Sequence, residues 1–352
     1  MTFAQELNRL RSVTDATYAD ALARFGERTV MELTALVGYY TMVAMTLNAH
    51  EILARRRGAG VRTATTPVTM NDSLNAAPQP PAATPITGWD CHAHLFGPYD
   101  CFPLAPQRSY TPPEAVEAQY LAMLARLGLS HGVLVHPSAY GEDFSLLLHA
   151  LASRPQLRGV IVANKGMDLD WSSLRACGVR AARFSHRSGA GANFAGSASL
   201  DDLHALAPRL ADAGLHAELW TDCQVLPDIA EQLRQMPVPV VIDHTGGFDV
   251  AAGVDAAGFR CLLSLVESGH VWSSCVPTAT CWPCKTSPWA DLFTARCSRQ
   301  IRSAWSGGTD WPHLRVTPEP DTSALLALFK DWTGDKELVH KILVTNPTAL
   351  YD

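Results

Sequence analysis

The chain has 352 residues, 47% of them hydrophobic and 18% charged, which describes a globular protein with ample core and excludes a disordered one. A formal net charge of −6 excludes a nucleic-acid groove, because phosphate binding needs a concentrated positive field. Nine cysteines are an odd number in a long chain, unlike a small secreted disulfide framework, so reduced thiols and a cytoplasmic location are expected. At the start, residues 1–12 carry Glu6, Arg9 and Arg11 and no apolar block, so no secretory signal is read there. The best membrane candidate, residues 33–47, is too short for a span and contains Gly38, Tyr39 and Tyr40; a buried helix is expected instead, and no membrane partner.

Residues 1–57 read as a helical segment. Gly26-Glu27-Arg28 precedes a run, 29–57, in which Met31, Leu33, Leu36, Val37, Tyr40, Val43, Leu47 and Ile52 recur at helical spacing. Around 37–47 the run is apolar on nearly every face and must bury itself in the rest of the chain or in another copy, which leaves a homo-oligomer open. The stretch Leu36-Val37-Gly38-Tyr39-Tyr40-Thr41-Met42-Val43-Ala44-Met45 resembles the last helix of carboxymuconolactone decarboxylase-like proteins, which are helical oligomers. Only the end of such a domain is matched, without that family's cysteine and acid/base residues, so the segment reads as a packing or association remnant. Residues 58–85 are rich in Ala, Thr, Pro and Gly, including Pro78-Gln79-Pro80-Pro81, the composition of a linker. Met70-Asn71-Asp72 within it is a natural start for the second piece, so the chain reads as two neighbouring coding regions joined.

Residues 86–352 alternate short apolar runs with longer amphipathic stretches, the pattern of a parallel sheet covered by helices. The predicted strands are 88–92, 132–136, 159–163, 179–184, 216–220, 238–243, 270–274 and 303–307, with helices such as 114–127 and 200–213 between them. Eight strands over roughly 265 residues match a (β/α)₈ TIM barrel of the α/β class. A doubly wound open sheet ranks below it, because no Gly-rich phosphate loop follows any strand.

In a barrel the chemistry gathers at the C-terminal ends of the strands. Those positions hold Asp90, His92 and His94 at strand 1, Ser138 and Tyr140 after strand 2, and Arg183 on strand 4. Trp220 closes strand 5, His244 closes strand 6 and Asp310 follows strand 8. Three imidazoles and a carboxylate suit one divalent ion, and can also act directly, the imidazoles polarising a carbonyl while the carboxylate takes a proton from water. Taken singly, each has a structural alternative: His-x-His pairs commonly do nothing together, His244 could be a satisfied core histidine, and Asp310 could cap a helix before Trp311-Pro312. Their joint order at the strand ends marks a shared site.

The motifs Trp89-Asp90-Cys91-His92-Ala93-His94-Leu95-Phe96-Gly97-Pro98, Ser109-Tyr110-Thr111-Pro112 and Gly178-Val179-Arg180-Ala181-Ala182-Arg183-Phe184 fall in register with Val241-Ile242-Asp243-His244, Gly308-Thr309-Asp310-Trp311-Pro312-His313 and the ending Asn346-Pro347-Thr348-Ala349-Leu350-Tyr351. Together they resemble the amidohydrolase superfamily, in its branch of 2-pyrone-4,6-dicarboxylate lactonases and related lactone hydrolases. The resemblance implies hydrolysis of a carboxylated lactone in aromatic-compound degradation or a related pathway. Asp310 would activate water, and His92, His94 and His244 would polarise the carbonyl. Arg183 would pair with a substrate carboxylate, with Tyr110, Ser138, Tyr140, Trp220 and His313 as further substrate contacts. Members of the branch differ in metal use, so one divalent ion (zinc or manganese) on His92, His94, His244 and Asp310 is the only cofactor expected. A metal-dependent decarboxylase of the same superfamily and an impaired barrel with little activity are the alternatives.

Several positions depart from the branch. Only Arg183 of its substrate-binding arginines matches cleanly, although Arg187 is close to the next; Trp220 stands where a tyrosine is expected. These changes make a muconolactone or sugar-acid lactone as suitable as the pyrone. The stretch 273–306 carries Cys275, Cys281, Cys284, Cys297, Trp282, Trp289 and Trp305 with Asp291 as its one acid. A zinc knot on Cys281-x-x-Cys284 lacks well-spaced partners, and a local out-of-frame translation explains the composition better, at the expense of one barrel wall.

Overall fold

The computed structural model describes residues 3, 6–7, 13–49, 85–188, 194, 196–249, 252–276, 304–314, 316 and 319–352. The chain divides into two compact units, Met1–Pro80 and Pro81–Asp352. In the first, helix α1 (Asp15–Ala49) is interrupted at Gly26, whose φ of 77° and ψ of 162° belong to glycine alone. Tyr18, Leu22, Phe25 and Met31 of this helix are exposed. Among the described residues no helix is long and apolar enough to cross a membrane.

The second unit is an eight-stranded parallel sheet in sequence order: β1 (Trp89–Ala93), β2 (His131–Val135), β3 (Leu157–Val162), β4 (Val179–His186), β5 (His216–Thr221), β6 (Val240–Ile242), β7 (Val271–Cys275) and β8 (Trp305–Gly307). Helices α2 (Glu117–Leu127), α3 (Ser145–Ser153), α4 (Trp171–Ala176), α5 (Leu200–Asp212), α6 (Leu226–Arg234) and α7 (Ala257–Glu267) lie in the connections, and α8 (Thr322–Thr333), α9 (Lys336–His340) and α10 (Asn346–Tyr351) complete the chain. The circle is drawn together after β8, where Asp310 donates its N–H to the His92 carbonyl and His94 donates to the Trp311 carbonyl, each at 2.8 Å. This is the (β/α)₈ barrel that the alternating pattern predicts. Strand β6 is shorter than the apolar run 238–243, because Pro239 has no N–H to give the ladder.

Burial explains why these segments are strands. On β2, Val133 and Val135 join one apolar cluster with Trp89, Cys91, Val160, Ala181 and Tyr351, while Leu134 joins the other. On β4, Ala181 faces the first cluster and Ala182 and Phe184 the second. Period-two alternation between an inner layer and a helix-covered outer layer is what a strand buried on both faces requires. Helix α5 begins on a reciprocal cap, Ser199 Oγ accepting from the Asp202 N–H and Asp202 Oδ2 from the Ser199 N–H.

Within the unusual stretch 273–306, β7 pairs regularly with β6 and β8, Val240 opposite Val271 and Ser273 opposite Trp305. Residues 277–303, with Cys281 and Cys284, lie outside those described, as does the linker around Met70. Cys91, Cys101, Cys177, Cys223, Cys261 and Cys275 form no disulfide.

Candidate active site

At the C-terminal ends of the strands a cavity of about 420 Å³ opens between the loops after β1, β2, β4, β5, β6 and β8. Its wall includes His94, Tyr110, Ser138, Arg183, Trp220, His244 and Asp310. Seven of the ten residues expected at the site thus face one space of a size suited to a small ligand. His92 lies just beneath, 1% exposed, with its ring centroid 5.0 Å from that of His94 and 4.7 Å from that of His244. Tyr140 and His313 do not line the cavity. The Tyr140 hydroxyl accepts the Gly97 N–H at 2.7 Å, and His313 Nε2 meets Thr322 Oγ1 at 3.0 Å, so both brace loops behind the wall.

Strand geometry also corrects the place of Asp90. The pairing of β1 with β2 slips between Asp90 and Ala93, an irregularity that re-aims side chains at a barrel rim. Asp90 does not share the histidines' side; its carboxylate accepts the Tyr120 hydroxyl of α2 at 3.2 Å and the Thr309 N–H at 2.7 Å. Burial outweighs these bonds and pushes its carboxyl up to about 6.

The histidines differ in how they are held. His94 Nδ1 meets the Val135 carbonyl at 2.8 Å, which makes Nδ1 a donor and turns Nε2 toward Asp310 Oδ1, 3.5 Å away. His244 follows β6 in a left-handed backbone conformation (φ 53°), secured by a hydrogen bond between its N–H and Ser274 Oγ at 3.0 Å. Burial lowers its imidazole against the opposing charges of Asp310 and Asp243. His92 is held well below its ordinary range by burial, then by His244, Arg183 and His94, so it is neutral near pH 7. Burial pushes the Asp310 carboxyl up, but the hydrogen bond from His94 and the charges of His244, His94 and Arg183 prevail and set it below the usual range. Asp310 is therefore an ionised carboxylate at the edge of a cavity.

Two buried acids were not singled out from the sequence as site residues. Asp243, the last residue before His244, accepts Arg183 Nε on Oδ2 at 2.8 Å, while its Oδ1 stands 3.9 Å from His92 Nδ1 with no hydrogen-bond partner. Burial opposes the charge on Arg183, but Asp243, Glu218 and Asp310 outweigh it and raise the guanidinium. Glu218 of β5 accepts the Tyr351 hydroxyl at 2.9 Å, and burial pushes its carboxyl well up. An acid in the middle of the apolar run His216-Ala217-Glu218-Leu219-Trp220 was the available signal. Trp220 itself carries two cations, Arg183 at 5.3 Å and Arg187 at 4.5 Å from its ring centroid.

The donor chemistry fits a single divalent ion. Both nitrogens of His92, Nδ1 of His244 and Oδ1 of Asp243 are buried without a hydrogen-bond partner, an expensive arrangement unless something else is bound. Two sets bring their ligand atoms within 4.8 Å of one another: His92, His94 and Asp310, and His92, Asp243 and His244. In the first set, Asp310 Oδ1 lies 3.9 Å from His92 Nε2 and 3.5 Å from His94 Nε2, close to the edge of about 3.4 Å expected of a tetrahedral zinc site. In the second, Asp243 is already committed to Arg183, and Arg183 Nη2 stands 3.5 Å from His244 Nε2. A cation so placed opposes another, so of the two sets the first has the less crowded surroundings.

Such a barrel, with imidazoles and one carboxylate converging at its rim, defines a hydrolase-type centre, and the comparisons with known proteins agree. The Amidohydrolase family model matches residues 89–352, and the chain belongs to that family. It is 33% identical to the 4-sulfomuconolactone hydrolase of Rhizobium radiobacter over 276 residues, 76% of this chain and 91% of that one. It is 31% identical to the 2-pyrone-4,6-dicarboxylate hydrolase of Comamonas testosteroni over 286 residues, covering 78% and 92%. Among solved structures, a Pseudomonas putida protein described as a 2-pyrone-4,6-dicarboxylic acid hydrolase superposes with a TM-score of 0.62 at 28% identity, covering 76% of this chain and 98% of that one.

Proposed function

We propose that the protein hydrolyses the ring ester of an anionic lactone, with Asp310 as the base that activates water. The observation that carries this reading is the convergence of His94, His244 and the ionised Asp310 on one cavity wall that also presents Arg183 and Arg187. Two of the relatives are named for hydrolysing lactones that bear carboxylate or sulfonate groups, which agrees with the cationic wall.

In this reading the lactone places its carbonyl near His94 and His244 and its anionic group toward Arg183. Asp310 removes the proton of a water as it attacks the carbonyl, and the ring oxygen departs as the ester bond breaks. His94, with Nδ1 on the Val135 carbonyl, keeps its Nε2 beside the Asp310 carboxylate at 3.5 Å. His92 is covered by its neighbours and acts through them in this reading. A divalent ion would be held by His92, His94 and Asp310, and when bound it would polarise the carbonyl and acidify water.

A ring-opening absorbance assay on a panel of carboxylated, sulfonated and neutral lactones tests the reading, before and after dialysis against a chelator. Anionic lactones should be preferred over neutral isosteres by about 10–100-fold, the worth of one charge-assisted hydrogen bond. Turnover lost with chelator and restored by zinc or manganese assigns the ion; turnover that persists assigns direct polarisation by the imidazoles. Folded protein that opens no member of the panel contradicts the proposal.

A further inference from the structure

We propose that Asp90 and Thr309 form a latch that positions Asp310, and that both are positioning residues for the hydrolysis; the proposal rests on the reading of Asp310 as the base. Asp90 is 1% exposed, and every hydrogen bond it receives comes from a neutral donor: the Thr309 N–H and the His92 N–H on Oδ1, the Thr309 hydroxyl (2.8 Å) and the Tyr120 hydroxyl on Oδ2. A buried carboxylate bonded to no basic group is costly to keep for stability alone. What its bonds accomplish is geometric. They take the N–H and the hydroxyl of Thr309 and fasten the loop after β8 to β1 on one side and to α2 on the other.

Asp310 is the next residue, and its backbone adopts φ 60°, a conformation that L side chains rarely take. That conformation is enclosed by fixed points. Thr309 Oγ1 accepts the Trp311 N–H at 3.1 Å, Asp310 donates to the His92 carbonyl, and its own carbonyl accepts the His313 N–H at 2.8 Å. The loop also presses on β1, because a Cβ at Gly308 would lie 2.8 Å from His92 Cβ. Beside it, β8 is only three residues long, so the strand itself gives the loop little register. The threonine hydroxyl is the hinge pin of this arrangement: it donates to Asp90 and accepts from Trp311, so one oxygen ties together the residues on both sides of Asp310.

The test compares Thr309→Val, Thr309→Ala and Thr309→Ser with the parent and with Asp310→Asn, in steady-state opening of the preferred anionic lactone. Near-UV circular dichroism checks the fold of each. The latch requires kcat to fall about 10²-fold in the Val and Ala variants, the cost of misplacing a reacting group by about 1 Å, with KM nearly unchanged. The Ser variant, which keeps the hydroxyl, should return close to the parent. Val and Ala variants at the parental kcat, or a Ser variant as impaired as Val, overturn the proposal. So does loss of fold in both Val and Ala, which would assign the pair to stability. If Asp310→Asn turns over like the parent, the base assignment has failed, and that outcome is distinct from an inactive Asp310→Asn beside fully active Thr309 variants.

Discussion

At the N-terminal ends of the strands, Arg158 and Arg180 both donate through Nε to the Tyr351 carbonyl, at 3.0 and 2.9 Å, and Arg158 adds an ion pair to Asp352. At the C-terminal ends, Arg183 pairs with Asp243 and Arg187 with Asp222, yet both also face the cavity. The first pair closes the chain's last helix onto the barrel, where positive charge also suits the helix C-terminus. The second pair holds its charge beside open space. The same residue type therefore ties down one face and borders the cavity on the other, in keeping with the division of labour that barrel enzymes show between their two ends.

Substitutions at the two ends should separate these roles. Arg183→Met should have the larger effect. It leaves Asp243 buried without its cation, which costs about 3 kcal/mol or more of stability, and it should raise KM for anionic lactones far more than for neutral ones. Denaturant titration and steady-state kinetics on both substrate types check the two halves. A variant with unchanged preference would remove Arg183 from recognition and erase the contrast with Arg158. Tyr351→Phe should have the smaller effect. Deleting the hydroxyl that Glu218 accepts costs about 1–3 kcal/mol of stability, with kcat and KM unchanged. A clear loss of kcat there would show that the closed end reaches the chemistry, through Glu218.

Much of this arrangement was legible in the sequence because it rests on local patterns. Apolar runs of strand length fixed all eight strands to within a few residues, and the chain order of His92, His94, His244 and Asp310 located the rim. What the sequence concealed depends on tertiary contacts. Asp90 has the spacing of a site residue, but a slip in pairing turns it toward Tyr120. Tyr140 and His313 occupy loop positions suited to substrate contact, yet each is taken by a backbone or side-chain partner behind the wall. Asp243 is hidden by its neighbour, since an acid beside a histidine motif says nothing about which of the two faces Arg183. Ser274, which braces His244, lies in the stretch whose composition looked least like a barrel.

In the proposed hydrolysis an ionised Asp310 is the base, and Asp310→Asn removes it. Single-turnover opening of the preferred anionic lactone by parent and variant, both folded and saturated with substrate, should differ by about 10³-fold, within the usual worth of a positioned general base. A variant that opens the ring at a rate close to the parent's would exclude Asp310 as the base.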